Sequence, residues 1–92
     1  MNEKESEVMD ILQEECAEVI QAVSKIRRFG VDSKHPEGGP TNLEHLEIEI
    51  GDVIAMIEIM NEFKMIDMTK VQIATLNKKE KLKKWSNIYV RN

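Results

Sequence analysis

The sequence predicts an all-α protein, built as an antiparallel helical bundle. Three observations support this prediction. Apolar residues recur at helical spacing in three segments, and two of these segments open with residues typical of a helix amino terminus. No convincing strand pattern appears in the sequence.

The first predicted helix runs from Glu3 to Phe29, and Gly30 is its expected stop. Residues 30–41 contain three of the four glycines and both prolines, so they are predicted to form a loop. The next helix is expected to begin at Thr41, because Thr-Asn-Leu-Glu is a capping box.

This second helix is predicted to end near Lys64, where the short break Met-Ile-Asp-Met follows. Thr69 opens Thr-Lys-Val-Gln, a second possible capping box, and the third helix is expected to continue to about Trp85. Residues 86–92 show no clear pattern, so no helix or strand is predicted there.

Composition indicates one small globular domain, residues 1–92, since 41% of the residues are hydrophobic and 33% are charged. No apolar run reaches the roughly 18 residues of a membrane span, so no membrane partner is expected. The first ten residues lack the apolar block of a secretion signal, and the lone Cys16 has no intrachain disulfide partner. These features favour a cytoplasmic location.

Charge is distributed unevenly along the chain. Residues 1–68 carry 6 basic and 16 acidic side chains, whereas residues 69–92 carry 7 basic and 1 acidic. An acidic body of this kind does not offer the broad basic face that binds nucleic-acid polymers, so that class of partner is excluded.

Carboxylates occur where the first two helices should be apolar. On a wheel of about 100° per residue, Glu15 lies near the centre of the first helix's apolar stripe, with Glu18 about 60° to one side. In the second helix, Glu49 lies in mid-stripe and Asp52 lies to the same side as Glu18. If the two stripes pack together, these four carboxylates converge.

A convergence of four carboxylates needs a compensating charge. Burying one unpaired carboxylate costs several kcal/mol in effective terms, and neighbouring negative charges repel. An all-oxygen site suits Mg²⁺, with Mn²⁺ as an alternative. The competing interpretation is a solvated helix edge, because glutamate accounts for 13 of the 92 residues.

With these residues in view, the chain resembles the MazG-like branch of the all-α nucleoside triphosphate pyrophosphohydrolases. The resemblance rests on Glu14-Glu15-x-x-Glu18 followed by Glu49-x-x-Asp52, and it covers about residues 8–63. It implies Mg²⁺-dependent hydrolysis of a nucleoside triphosphate to a monophosphate and pyrophosphate, with Glu15, Glu18, Glu49 and Asp52 as the metal ligands. The spacer of 30 residues between the two motifs is longer than is usual in the family, so no substrate contact is carried over to the loop.

Other residues are candidates for the remaining chemistry. Glu14 is a candidate general base or a partner that supports the metal ligands, with a solvated glutamate at the edge of the stripe as the alternative. Lys78 falls inside the apolar stripe of the third helix and, with Lys81 beside it, is a candidate phosphate contact; Lys25 shares the Glu18 side of the first helix. For each lysine, a solvated or ion-paired side chain is the competing interpretation.

Oligomerisation is expected because the second helix is apolar over more than half of its circumference. A lone three-helix chain cannot cover that surface, whereas paired chains can build a four-helix core, as a homodimer or a homotetramer. Trp85 is expected in the core or in an interface, with a base-stacking surface as the alternative. His45 either orients a ligand, contacts a base or is a half-buried structural histidine.

Three other functions compete. One is a non-catalytic helical module whose carboxylates bind a structural ion, and another is a phosphoribosyl-ATP pyrophosphohydrolase-like enzyme. A di-iron bundle is disfavoured, because it needs Glu-x-x-His and neither motif contains a histidine.

Overall fold

The computed structural model describes residues 1–90. Residues 91–92, which end both the predicted domain and the tail without a predicted element, lie outside the described residues. The predicted all-α fold is confirmed over this range. Three helices follow one another along the chain: α1 (Glu3–Phe29), α2 (Asn42–Glu62) and α3 (Met68–Trp85).

Capping boxes start both helices of the first pair. The Thr41 hydroxyl accepts from the Glu44 N–H at 3.1 Å, and the Glu44 carboxylate accepts from the Thr41 N–H at 3.0 Å, as predicted. Asn2 and Glu5 make the same reciprocal pair at the start of α1, at 2.8 and 3.1 Å. Each box provides acceptors for two backbone N–H groups that have no partner within the helix. The start of each helix is therefore determined by the local sequence.

The predicted capping box at the start of α3 is wrong. Asp67 is the N-cap residue, and its carboxylate accepts from the Thr69 N–H at 2.9 Å, so Thr69 lies inside the helix. Aspartate caps as well as threonine does, and it comes two residues earlier. α2 also ends two residues before the predicted Lys64, whose φ of 57° lies in the left-handed region.

The helices α1 and α2 form an antiparallel hairpin whose loop is fastened to both of them. The Asn42 side-chain amide donates to the Gly30 carbonyl at 3.0 Å, which ties the start of α2 to the end of α1. Gly30 has a φ of 92°, a conformation that few other residues adopt. The buried core is small, and it is made of four apolar side chains: Val8, Ala22, Met56 and Met60.

The chain is flat. Its principal extents are 42 × 39 × 14 Å, so it is about one helix thick, and its radius of gyration is 16.5 Å. A compact domain of this length would have a radius of gyration of about 12 Å. Among the described residues α3 has no buried side chain, and Trp85 is 76% exposed, so the core placement of Trp85 is wrong.

Within residues 1–90, no helix is both long and apolar enough to cross a bilayer.

Candidate metal centre

The hairpin brings three of the four singled-out carboxylates together. Glu15 lies in the middle of α1, and it faces Glu49 and Asp52 on α2. One carboxylate oxygen from each of the three lies within 4.8 Å of the others. Glu15 and Glu49 are half-buried and Asp52 is exposed, so the group lies at the edge of the helix interface and opens to solvent.

Glu18 lies beside this group rather than inside it. It is exposed, one helical turn after Glu15, and its negative charge contributes to raising the pKa of Glu15. A side chain one turn away can join a shared ion by changing rotamer, without any movement of the backbone.

His45 contacts the centre through Glu49. Its Nε2 lies 3.1 Å from Glu49 Oε1, and the two residues are one turn apart on α2. An ionised carboxylate can only accept, so the Nε2–H donates and the other ring nitrogen is left free of this bond. His45 therefore orients the Glu49 carboxylate, and the four-residue spacing in the sequence is the signal for this contact.

The electrostatics of the centre favour a bound cation. Partial burial, followed by the charges of Asp52 and Glu49, raises the pKa of Glu15 above its ordinary value. Within residues 1–90, no lysine or arginine forms an ion pair with any of the three carboxylates. Three carboxylate oxygens without a lysine or arginine partner form a donor set of the kind that hard divalent cations prefer.

The other candidate residues have different surroundings. Glu14 is exposed next to Glu15. Lys78 and Lys81 are exposed on α3, and no ion pair links them to the carboxylates within the described part of the chain. Lys25 lines a separate pocket beside the α1–α2 loop. No pattern in the sequence predicted this pocket.

Replacement of Glu15 should change stability in opposite directions with and without metal. We expect Glu15→Gln to raise the melting temperature of the metal-free protein at pH 7 by a few degrees. The raised pKa of Glu15 means that the folded state binds a proton more readily than the unfolded state. Stability should therefore fall as pH rises from about 4.5 through the raised pKa, and Gln removes that loss. In excess Mg²⁺ the wild type should be the more stable protein, because the variant has lost a ligand.

The measurement is thermal unfolding followed by circular dichroism, in EDTA and in MgCl₂, between pH 4.5 and 7.5. Glu14→Gln is the matched control, because it removes an adjacent exposed charge. A lower melting temperature for Glu15→Gln than for Glu14→Gln in EDTA would show that the carboxylates do not repel one another.

Fold and site together define a class, that of all-helical proteins with a carboxylate cluster on facing helices. The family model of the MazG nucleotide pyrophosphohydrolase domain matches residues 3–86, which is nearly the whole chain. The chain therefore belongs to the MazG family, and the predicted resemblance is confirmed. Membership implies a nucleotide pyrophosphohydrolase, an enzyme class that generally uses divalent metals. No curated protein and no solved structure matches this chain.

Proposed function

We propose that the protein is a Mg²⁺-dependent nucleoside triphosphate pyrophosphohydrolase, which converts a ribo- or deoxyribonucleoside triphosphate to its monophosphate and pyrophosphate. The observation that supports this most directly is the group of three carboxylates within 4.8 Å, in a chain of the MazG family. Glu15, Glu49 and Asp52 hold the ion, and Glu18 completes the ligand set from one turn away. Mn²⁺ suits the same oxygens.

When bound by these carboxylates, Mg²⁺ would neutralise charge on the triphosphate and polarise the phosphoryl group that is attacked. The protein supplies position and proton transfer. A water oxygen attacks one phosphorus in line, and the bond from that phosphorus to the bridging oxygen of the leaving pyrophosphate breaks. Glu14, exposed beside the ligands, takes the proton of the attacking water as general base.

Lysines on two helices contact the substrate. Lys25 lies on the Glu18 side of α1, two turns further along. Lys78 and Lys81 on α3 supply further positive charge for the phosphates, once α3 is packed in the assembled protein.

The proposed assembly is a homodimer, or a homotetramer formed from two dimers. An apolar groove of about 280 Å³ runs along the hairpin, and its lining includes Cys16, Ile20, Ile50 and Ile54. Cys16 follows Glu15 by one residue, and Ile50 follows Glu49 by one residue. One residue corresponds to a rotation of about 100° around the helix axis, so the groove lies about 100° away from the carboxylates on each helix. A second hairpin seated there gives a four-helix core and covers surface that the flat chain leaves open.

We place this activity in a single MazG domain spanning residues 1–92 and in the cytoplasm, where nucleoside triphosphates are available. A single cysteine in an exposed position suits a reducing compartment. The acidic charge of residues 1–68 argues against a nucleic-acid polymer as substrate.

The test is pyrophosphate release from a panel of ordinary and modified nucleoside triphosphates, in MgCl₂ and in EDTA. We expect turnover of at least one member of the panel in Mg²⁺, and none in EDTA. Release of orthophosphate instead of pyrophosphate would contradict the proposed bond cleavage. Absence of turnover with every nucleotide in both Mg²⁺ and Mn²⁺ would leave a non-catalytic metal-binding module as the better explanation.

A further inference from the structure

A second pocket lies beside the loop that joins α1 and α2. Its volume is about 440 Å³, and it shares no residue with the metal centre. Its lining includes three residues of the loop and three of the flanking helices: Ser33, Lys34, His35, Lys25, Phe29 and Asn42.

The pocket and the carboxylates share one face of the hairpin. Lys25 follows Glu18 by seven residues, and Asn42 precedes Glu49 by seven. Seven residues are close to two helical turns, so each pair lies on one side of its helix, about 10 Å apart. Because α1 and α2 are antiparallel, both displacements lead to the same end of the hairpin. A nucleotide whose phosphates lie at the carboxylates can therefore extend along this face towards the loop.

The pocket combines a flat apolar surface with hydrogen-bond donors. The Phe29 ring is 60% exposed, and the Arg28 guanidinium lies over one face of it, 4.9 Å from the ring centroid. The other face is of the kind on which bases stack. Lys25 and Lys34 are donors only. His35 Nδ1 accepts from the Glu37 N–H at 3.2 Å, so the ring proton lies on Nε2, which is a third donor.

Acceptors are fewer. The Asn42 amide nitrogen donates to the Gly30 carbonyl at 3.0 Å and to the Lys25 carbonyl at 3.5 Å. Its Oδ1 is thereby fixed as an acceptor, and the Ser33 hydroxyl can act in either sense. The lining thus offers several donors and few acceptors.

We propose that this pocket binds the base of the substrate nucleotide, and that it prefers bases with a carbonyl oxygen at C4 of a pyrimidine or C6 of a purine, namely uracil, thymine, guanine and hypoxanthine. This inference rests on the proposed function. Carbonyl oxygens accept from Lys25, Lys34 and His35, and the ring N–H of these bases donates to Asn42 or Ser33. The exocyclic amino group of cytosine or adenine would instead meet donors and leave polar groups unpaired.

The first test compares kcat/KM for UTP, dTTP, GTP and ITP with kcat/KM for CTP and ATP. We expect the four bases with a carbonyl oxygen at C4 or C6 to be favoured by about 10-fold over cytosine and adenine, the effect of roughly one unpaired polar group. His35→Ala and Lys25→Met should each reduce that ratio. Lys70→Met is the matched control, since it removes an exposed lysine from α3, away from the pocket, and should leave the ratio unchanged.

A second test does not depend on turnover. Binding of UMP and CMP to the full chain in EDTA is measured by isothermal titration calorimetry, and UMP should bind more tightly, with the difference reduced in His35→Ala. Equal affinities would overturn the inference, because the pocket would then recognise only the charge of the phosphate. Absence of UMP binding would also overturn it, because the pocket would then bind no nucleotide. Equal kcat/KM across all bases with normal turnover would overturn it while the proposed function stands. Failure of all turnover would refute the function alone, and the UMP–CMP comparison would still decide on the pocket.

Discussion

Glu49→Gln should lower kcat/KM for the preferred nucleotide by about 100- to 1000-fold, the scale seen when one strong electrostatic contact to a reacting phosphate or oxyanion is lost. The substitution keeps the shape of the side chain and still allows His45 to donate to its Oε1, so the fold of α2 is preserved. It removes one negative charge from a group whose three oxygens lie within 4.8 Å. A divalent ion is then held by fewer charged ligands, so it binds more weakly at this site.

Glu47→Gln is the matched control, because Glu47 lies two residues away on α2 and is exposed. It should retain nearly the full activity of the wild type. Activity of both variants is measured as pyrophosphate release over a titration of Mg²⁺. If Glu49→Gln and Glu47→Gln have the same kcat/KM at all Mg²⁺ concentrations, Glu49 is not a ligand and the centre must be sought elsewhere.

The hairpin and its carboxylates could be predicted because their signals are local. Thr41 with Glu44 is a capping box that needs no tertiary contact to form. The placement of Glu15 and Glu49 in apolar stripes follows from helical periodicity alone, and two antiparallel helices with matching stripes bring such positions together. Which of the four carboxylates meet most closely depends on the helix crossing, so the outlying position of Glu18 could not be predicted.

The environment of α3 could not be predicted for a different reason. A helical wheel identifies an apolar face, but it does not say what covers that face. The stripe on α3 predicted Trp85 in the core or in an interface and placed Lys78 within the apolar face, whereas both side chains are exposed in the single chain. At the start of this helix, Asp67 and Thr69 are both good N-cap residues, and local sequence does not choose between them.

The loop pocket depends on backbone geometry that composition does not encode. Gly30, Gly38 and Gly39 all have positive φ, and their particular combination sets the path of residues 30–41. The contact between the His35 ring and the Glu37 N–H is also a consequence of that path. Glycine and proline predicted a loop there, but they did not predict which side chains would line a pocket.

Ile54→Glu should dissociate the proposed oligomer. Ile54 is 50% exposed in the single chain and lines the apolar groove on the α1–α2 hairpin. In a symmetric dimer the substitution would bury two carboxylates, and each one costs several kcal/mol when it has no partner. With only four buried apolar side chains within residues 1–90, the single chain has little stability of its own to offset that loss. We therefore expect a monomer that is partly or wholly unfolded.

Ile48→Glu makes the same substitution at a position that is 53% exposed, on the opposite side of α2 from the groove. The mass of both variants in solution is measured by light scattering after gel filtration, together with helix content by circular dichroism. Ile48→Glu should stay oligomeric and helical, and Ile54→Glu should do neither. If Ile54→Glu is a stable oligomer like the wild type, the groove is not the interface. In this scheme α3 packs against other helices only in the assembled protein. Loss of the oligomer should therefore also abolish turnover, although Ile54→Glu replaces none of the proposed metal ligands.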